Sequence, residues 1–287
     1  MGVCLHPYWR QTAVLSTMHA KEQAIAPVFR NAFEMQLVVP AALDTDALGT
    51  FSGEIARQGT MGEVAIRKAR LAMAMTGYPI GLASEGTFGN HPSVPFANAG
   101  MELMVAVDDI HGMTISESLV TTEIVFDKRT ISPDEDLLDW LDFVQFPAHC
   151  LIVQPHSHSM RPHIFKDIGN YRELHAAISG ACQQSEDGKC IVSTDMRAHR
   201  NPTRMRSLEI LAEKLAARLG NLCLHCGCPG FGRVLVEPGL RCEECGSPTK
   251  SVGLEIFGCS KCSHEQERAR PDGKTREKAQ YCDYCNP

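Results

Sequence analysis

No apolar run in this chain of 287 residues approaches the ~20 residues that a bilayer-spanning helix needs, which excludes a helical membrane protein. The start, MGVCLHPYWRQTAV, lacks the basic segment and apolar core of a secretory signal, and His6 stands where a myristoylation signal needs Ser or Thr. The expectation is a cytoplasmic protein. There is no basic surplus either: a formal net charge of −6 cannot draw the whole molecule onto a phosphate backbone, so any anion site must be local. G-x-S-x-G, P-loop and G-x-G-x-x-G motifs are all missing, and with them three common routes to a catalytic or nucleotide-binding α/β domain.

What the chain does have is an alternation of short apolar runs with helical patterns over its first 220 residues, the signature of an α/β layer fold. TAVLST, MQLVVP and YPIGLA read as strands, with helices in AKEQAIAPVFRNAF and MGEVAIRKARLAMAMTG between them. MELMVAVD and SLVTTEIVF suggest a hairpin. Ser132, Pro133 and Glu135 look like a capping box opening a helix over ISPDEDLLDWLDFVQF. CLIVQP and KCIVST are strands around the helix YRELHAAISGACQQ. In NPTRMRSLEILAEKLAARLG, Asn201 is the expected cap and Leu208, Leu211, Leu215 and Leu219 form one face, with a stop at Gly220. These features predict an α/β mixed-sheet layer domain over 1–220 and a small Cys-rich module over 221–287.

The composition of the second segment explains why it needs metal. Eight of the 13 cysteines form four Cys-x-x-Cys pairs in the last 65 residues: Cys223/Cys226, Cys242/Cys245, Cys259/Cys262 and Cys282/Cys285. A Cys-x-x-Cys turn lets two thiolates grip one tetrahedral ion, and two turns complete a Cys₄ site, so four imply two structural Zn²⁺ ions in a double zinc ribbon. Sequential, nested and crossed pairing of the turns all satisfy the spacing. Cys228, His225 and His264 are expected to pack rather than ligate, and Cys4, Cys150, Cys182 and Cys190 to be buried thiols. Residues 221–287 carry nine Lys or Arg and nine Asp or Glu. Eight thiolates on two Zn²⁺ add a charge of −4, which disfavours a nucleic-acid partner and favours a structural or docking role.

Chemistry-bearing residues recur at the expected strand ends. Thr17, His19 and Lys21 sit at the first strand-to-helix turn, where helix N–H groups and a lysine suit an anion. Glu54 precedes a turn, and Glu63 lies in the first turn of a helix. Glu85 stands alone among small residues in GLASEGTFGN, at the end of an apolar strand, where α/β sheets place ligands. Arg197, His199, Arg200 and Arg204 crowd the helix start capped by Asn201, reading as a second anion-binding segment in which Asp195 could orient one arginine. His156, His158 and His163 read as an exposed loop.

The order Thr-x-His-x-Lys, then Glu-(x)₅-Thr-x-x-Glu-x-Ala-x-x-Lys-Ala-Arg, then Thr-Gly-x-Pro with an acidic, Gly-containing strand end resembles the inosine/xanthosine triphosphate pyrophosphatase (ITPase-like) superfamily. MVAVDDIHGMTISESLV and AHRNPTRMRSLEILAEKL extend the likeness, which covers roughly residues 12 to 125 and 195 to 215. The chain departs from that pattern with Met-His-Ala before its lysine and with one carboxylate, Glu85 beside Ser84, where the family has an acidic pair. The resemblance implies hydrolysis of a non-standard nucleoside triphosphate to monophosphate and pyrophosphate with Mg²⁺ or Mn²⁺. Thr17, His19 and Lys21 would hold phosphates, Glu54, Glu63 and Glu85 would carry the metal or activate water, and His199 with Arg200 would read the base. The whole chain is also similar to a bacterial family that couples such a domain to a Cys-rich tail, a likeness carried by TDMRAHRNPTRM and CDYCNP and implying no activity. The expected ligand is therefore a nucleotide or another phosphorylated small molecule, and a homodimer is compatible with the sequence. The alternative is a non-catalytic module that senses a nucleotide or RNA end and docks a partner through its zinc ribbons; a transferase reusing the phosphate site is the third reading.

Overall fold

The computed structural model describes residues 6–41, 58–91, 94, 96–157 and 163–287. Its first sheet has the order β2-β1-β3-β4-β5 and is mixed. β1 (Thr12–Ser16) pairs in parallel with β2 (Gln36–Val38) and β3 (Ile80–Asn90), whereas β3, β4 (Asn98–Asp108) and β5 (Met113–Thr121) are antiparallel. The expected hairpin is β4 to β5, turning at Gly112 with φ +65°. Strand alternation divides the core cleanly. Leu15, Leu82, Met104 and Ala106 face α1 (Glu22–Phe33) and α5 (Pro202–Gly220), while Val14, Ala83, Val105 and Val107 face α2 (Met61–Thr76). The Leu208, Leu211, Leu215 and Leu219 stripe of α5 is buried on the first of these faces, each leucine contributing about 1.5–3 kcal/mol.

Residues 122–200 build a second sheet with its own core, so the segment 1–220 holds two sheets where one was expected. This sheet has the order β6-β9-β7-β8 and every pairing in it is antiparallel. It consists of β6 (Lys128–Ile131), β7 (Leu151–Pro155), β8 (Phe165–Ile168) and β9 (Cys190–Thr194), covered by α3 (Leu138–Phe143) and α4 (Tyr171–Gln184). α3 is shorter than predicted. Ser132 and Glu135 do exchange a backbone contact (Glu135 N–H to Ser132 O, 3.2 Å), but they close a turn, and the helix starts only where Asp136 Oδ1 accepts from Leu138 N–H.

β3 also runs further than the sequence suggested. β1 ends at Ser16, opposite Ala83, and β3 continues to Asn90 paired with β4 alone, so Glu85 lies within a strand rather than at its end. Gly86 sits directly across from Glu102 on the α1/α5 face, and a Cβ there would meet Glu102 Oε2 at 2.6 Å. Because Glu102 is buried and pinned, Gly86→Ala is expected to lower stability by about 1–3 kcal/mol through overpacking, read as a lower midpoint in chemical denaturation.

Candidate functional site

The strand order 2-1-3-4-5 puts a topological switch between β1 and β3, where the chain leaves β1 toward α1 on one face and α2 covers the other. Ligands in open α/β sheets settle in that crevice. Here β1 gives way to the turn Thr17–Lys21, β3 presents Ser84 and Glu85 just past the last β1 pair, and the start of α5 closes in with the 3₁₀ turn Ala198–Arg200. Ala20 holds φ +53°, an uncommon conformation for a residue with a side chain, and so swings Lys21 into the crevice.

Lys21 is buried, and its ammonium donates to Ser84 O at 3.1 Å and Ser84 Oγ at 3.0 Å. An ammonium has three donors, and two are thus used. Burial, reinforced by the Arg204 charge, pulls Lys21 down to about 8. Every other cation of the cluster has a carboxylate. Lys68 pairs with Glu85, Arg204 with Glu102 (2.6 Å), Arg197 with Asp195 and with Asp167 (3.0 Å), and Arg200 with Asp167 (2.6 Å). Among the described residues of this cluster five fixed cations thus face four carboxylates, and Lys21 is the one of the five with no carboxylate oxygen in ion-pair range.

The pairings answer why Glu85 stands alone in its strand: it meets Lys68, from the Lys-Ala-Arg of α2, on the sheet face opposite Lys21. Glu63 closes a capping box on α2, its carboxylate accepting from Thr60 N–H at 2.8 Å, and those Thr60 hydrogen bonds hold it below the usual glutamate range. Thr17 Oγ1 accepts from His19 N–H at 3.3 Å, inside the turn. Glu54 and His158 lie outside the described residues. The expected convergence of open N–H groups at the start of α5 is corrected: Asn201 Oδ1 takes Arg204 N–H at 2.9 Å and His149 Nε2 takes Thr203 N–H at 3.4 Å. Asp195 does orient Arg197, through three hydrogen bonds from its guanidinium. Sequence reading missed Lys68, Glu102 and Asp167, whose partners come from other elements. The residues it did bring to one place are Lys21, His19, His199, Arg197, Arg200 and Arg204.

The second site is better defined. Two four-cysteine groups have all their sulfurs within 4.8 Å of one another: Cys223, Cys226, Cys259 and Cys262, and Cys242, Cys245, Cys282 and Cys285. Cys223–Cys262 and Cys226–Cys259 Sγ distances are 3.8 and 3.6 Å, and the other group has 3.9 and 3.6 Å. A tetrahedral ion with Zn–S of ~2.3 Å requires S···S of ~3.8 Å, so the geometry fits zinc. Pairing is crossed, first turn with third and second with fourth. A three-stranded antiparallel meander dictates this. β10 (Gly232–Pro238) follows the first turn, β11 (Val252–Gly258) the second and β12 (Glu265–Arg268) the third, so successive turns fall at alternate ends of the sheet.

The first two turns are near copies. Cys223 O accepts from Gly227 N–H and Cys242 O from Gly246 N–H, with φ of +73° and +74° at the two glycines. Backbone N–H of Cys228 draws the Cys226 thiol down to about 6, and Ser247 does the same for Cys245, while Cys285 is pushed up to about 12 by sharing its proton with Cys245. A divalent cation would supply the charge that lets all four thiolates coexist. Cys228, His225 and His264 are not members of either group, but Cys228 and His264 brace the first through the backbone, Cys228 O accepting from Cys223 N–H at 2.8 Å and His264 O from Cys259 N–H at 3.1 Å, with His264 stacking on His225 and Phe231.

The whole is thus a mixed α/β protein with two sheets and a C-terminal module of two crossed Cys₄ sites, and among the described residues no helix is long and apolar enough to cross a membrane. Residues 68–287 match the family described as Domain of unknown function (DUF6671), and the chain belongs to that family. The match begins at Lys68, taking in β3 to α5 and both cysteine groups, and leaves β1 and α1 before it. No curated protein matches the chain.

Proposed function

We propose that the α/β part handles a nucleotide, holding its phosphate groups in the β1/β3 crevice on Lys21, and that the zinc module shapes the C-terminal end of the molecule and docks a partner. The observation that carries this reading is the buried Lys21 ammonium, which among the described residues has no carboxylate where four neighbouring cations each have one. A buried charge is costly until it is neutralised, either by losing its proton or by gaining an anion. The ITPase-like resemblance of the surrounding motifs makes that anion a nucleoside triphosphate. The reaction would be hydrolysis to monophosphate and pyrophosphate, with Mg²⁺ or Mn²⁺ bridging substrate phosphates and a carboxylate.

Engagement of the carboxylates favours the second reading, in which the crevice binds without turnover. Glu85 is held by Lys68 and Glu63 by the helix cap, so a catalytic metal would compete with an ammonium for Glu85. Pyrophosphate release from a panel of standard and deaminated nucleoside triphosphates, with equilibrium binding measured alongside, separates the two. Turnover by the wild type that Glu85→Gln abolishes would establish the hydrolase. Saturable binding without product would establish the binding module. Lys21→Met is expected to weaken nucleotide binding at least tenfold in either case, and unchanged affinity would remove the crevice as the site.

The Lys21 shift carries two pH signs. Phosphate affinity should fall as pH rises through about 8, where the ammonium of the free protein discharges. Stability should move the other way: between about 8 and 10.5 the unfolded lysine keeps a proton that the folded one has shed, so ligand-free stability rises with pH across that window, and Lys21→Met should flatten the rise.

A further inference from the structure

His19, from the turn after β1, and His199, from the 3₁₀ turn before α5, lie nearly parallel in the crevice with ring centroids 5.4 Å apart and planes at 24°. Charged groups face them from each neighbouring element: Lys21 at the start of α1, Arg204 in α5, Arg197 and Arg200 beside His199, and the carboxylates Asp195 after β9 and Asp167 in β8. Asp167 Oδ1 is 3.7 Å from His199 Nε2. Burial and then these cations keep both imidazoles neutral, His19 lowered to about 3 and His199 lowered. Lys68 and Glu85 cancel on the far face, and Glu102 cancels Arg204.

Resting on the phosphate reading above, we propose that the crevice takes a phosphate group as its dianion and that one proton from solvent enters His199 as the group binds. Charge balance carries the argument. Among the described residues, five fixed cations against four carboxylates leave one positive charge, on Lys21. A dianion overshoots by one, and a single imidazolium restores neutrality. The stack sets the stoichiometry, because two imidazolium rings at this separation repel, so only one is charged. His199 takes the proton: its side chain is 27% exposed, open to solvent and ligand, and Asp167 already faces it. His19 remains the neutral ring against which it is positioned. Carboxylate monoanions, which balance Lys21 alone, bind without proton uptake.

Calorimetric titration with sulfate, a dianion that binds no proton of its own near neutral pH, tests this in two buffers of different ionisation heat. The wild type should take up close to one proton at pH 7, and its affinity should fall by up to about tenfold per pH unit between pH 7 and 8. His199→Gln, checked for an unchanged melting curve, should still bind sulfate with a buffer dependence reduced to the minor uptake by Lys21, which sits at about 8. His19→Gln should keep the buffer dependence. Saturable binding with equal heats in both buffers would overturn the proton linkage and leave the phosphate site standing. Uptake that persists undiminished in His199→Gln would overturn the assignment to His199. No saturable binding of sulfate or of inorganic pyrophosphate would remove the phosphate site itself.

Discussion

Stripping zinc with an excess chelator should unfold residues 221–287 as a unit while both sheets of the preceding segment persist. Apart from cysteines, the hydrophobic residues fully buried in that module, among those described, are Phe231 and Leu240. At about 1.5–3 kcal/mol each they fall far short of the cost of ordering more than sixty residues at roughly 1–2 kcal/mol per residue. Structural zinc sites contribute about 10–16 kcal/mol apiece, several times what those two side chains supply. Crossed pairing adds a sharper expectation. Each strand of the meander runs from one Cys₄ group to the other, so opening one site releases an end of every strand. Cys282→Ser should therefore lose both zinc ions, as counted by elemental analysis, and become protease-sensitive throughout 221–287. Retention of one ion on a resistant fragment would mean that the two sites fold independently.

How much of this could be read from sequence depends on whether the decisive partner is near or far along the chain. The Asn201 cap, the leucine stripe of α5 and the Cys-x-x-Cys turns are local patterns, and each is found where expected. The crossed pairing was also within reach. GRVLVEP, VGLEIFG and EQER each lie between successive turns, and three strands in a row alternate the turns between two ends. The crevice was harder. Lys21 and Glu85 could be located, but their relation could not, because the strand alternation that sends Ser84 to Lys21 sends Glu85 to the opposite face and Lys68. Glu102 in MELMVAVD looks like an outward polar residue of an amphipathic strand. Its partner is Arg204, 102 positions away, which no local period announces. The second sheet is hard to see in the sequence because two of its strands, KRTI and FKDI, are four residues long, with three and two polar residues respectively.

The Arg204–Glu102 pair supports the second full prediction. Both side chains are essentially inaccessible, at 0% and 1% exposure. Arg204 donates to both carboxylate oxygens, Nε to Oε1 at 2.6 Å and Nη2 to Oε2 at 3.4 Å; Nη1 bonds the Met196 carbonyl, and the guanidinium lies over the Phe88 ring at 5.2 Å. It therefore ties α5, β4 and the segment after β9 together beside the crevice. Arg204→Met alone leaves a buried carboxylate unpaired and is expected to cost about 3–5 kcal/mol, as is Glu102→Leu for the converse reason. Replacing both should cost much less than the sum, because two apolar side chains bury no orphan charge, and a double-mutant cycle measures the difference. That double variant also decides what Arg204 is for. Removing the pair takes one cation and one carboxylate from the cluster and leaves the surplus charge on Lys21 unchanged. If Arg204 is a strut, the folded double variant binds sulfate within a few-fold of the wild type; if its guanidinium turns from Glu102 to grip phosphate, binding collapses in a protein that still melts cooperatively.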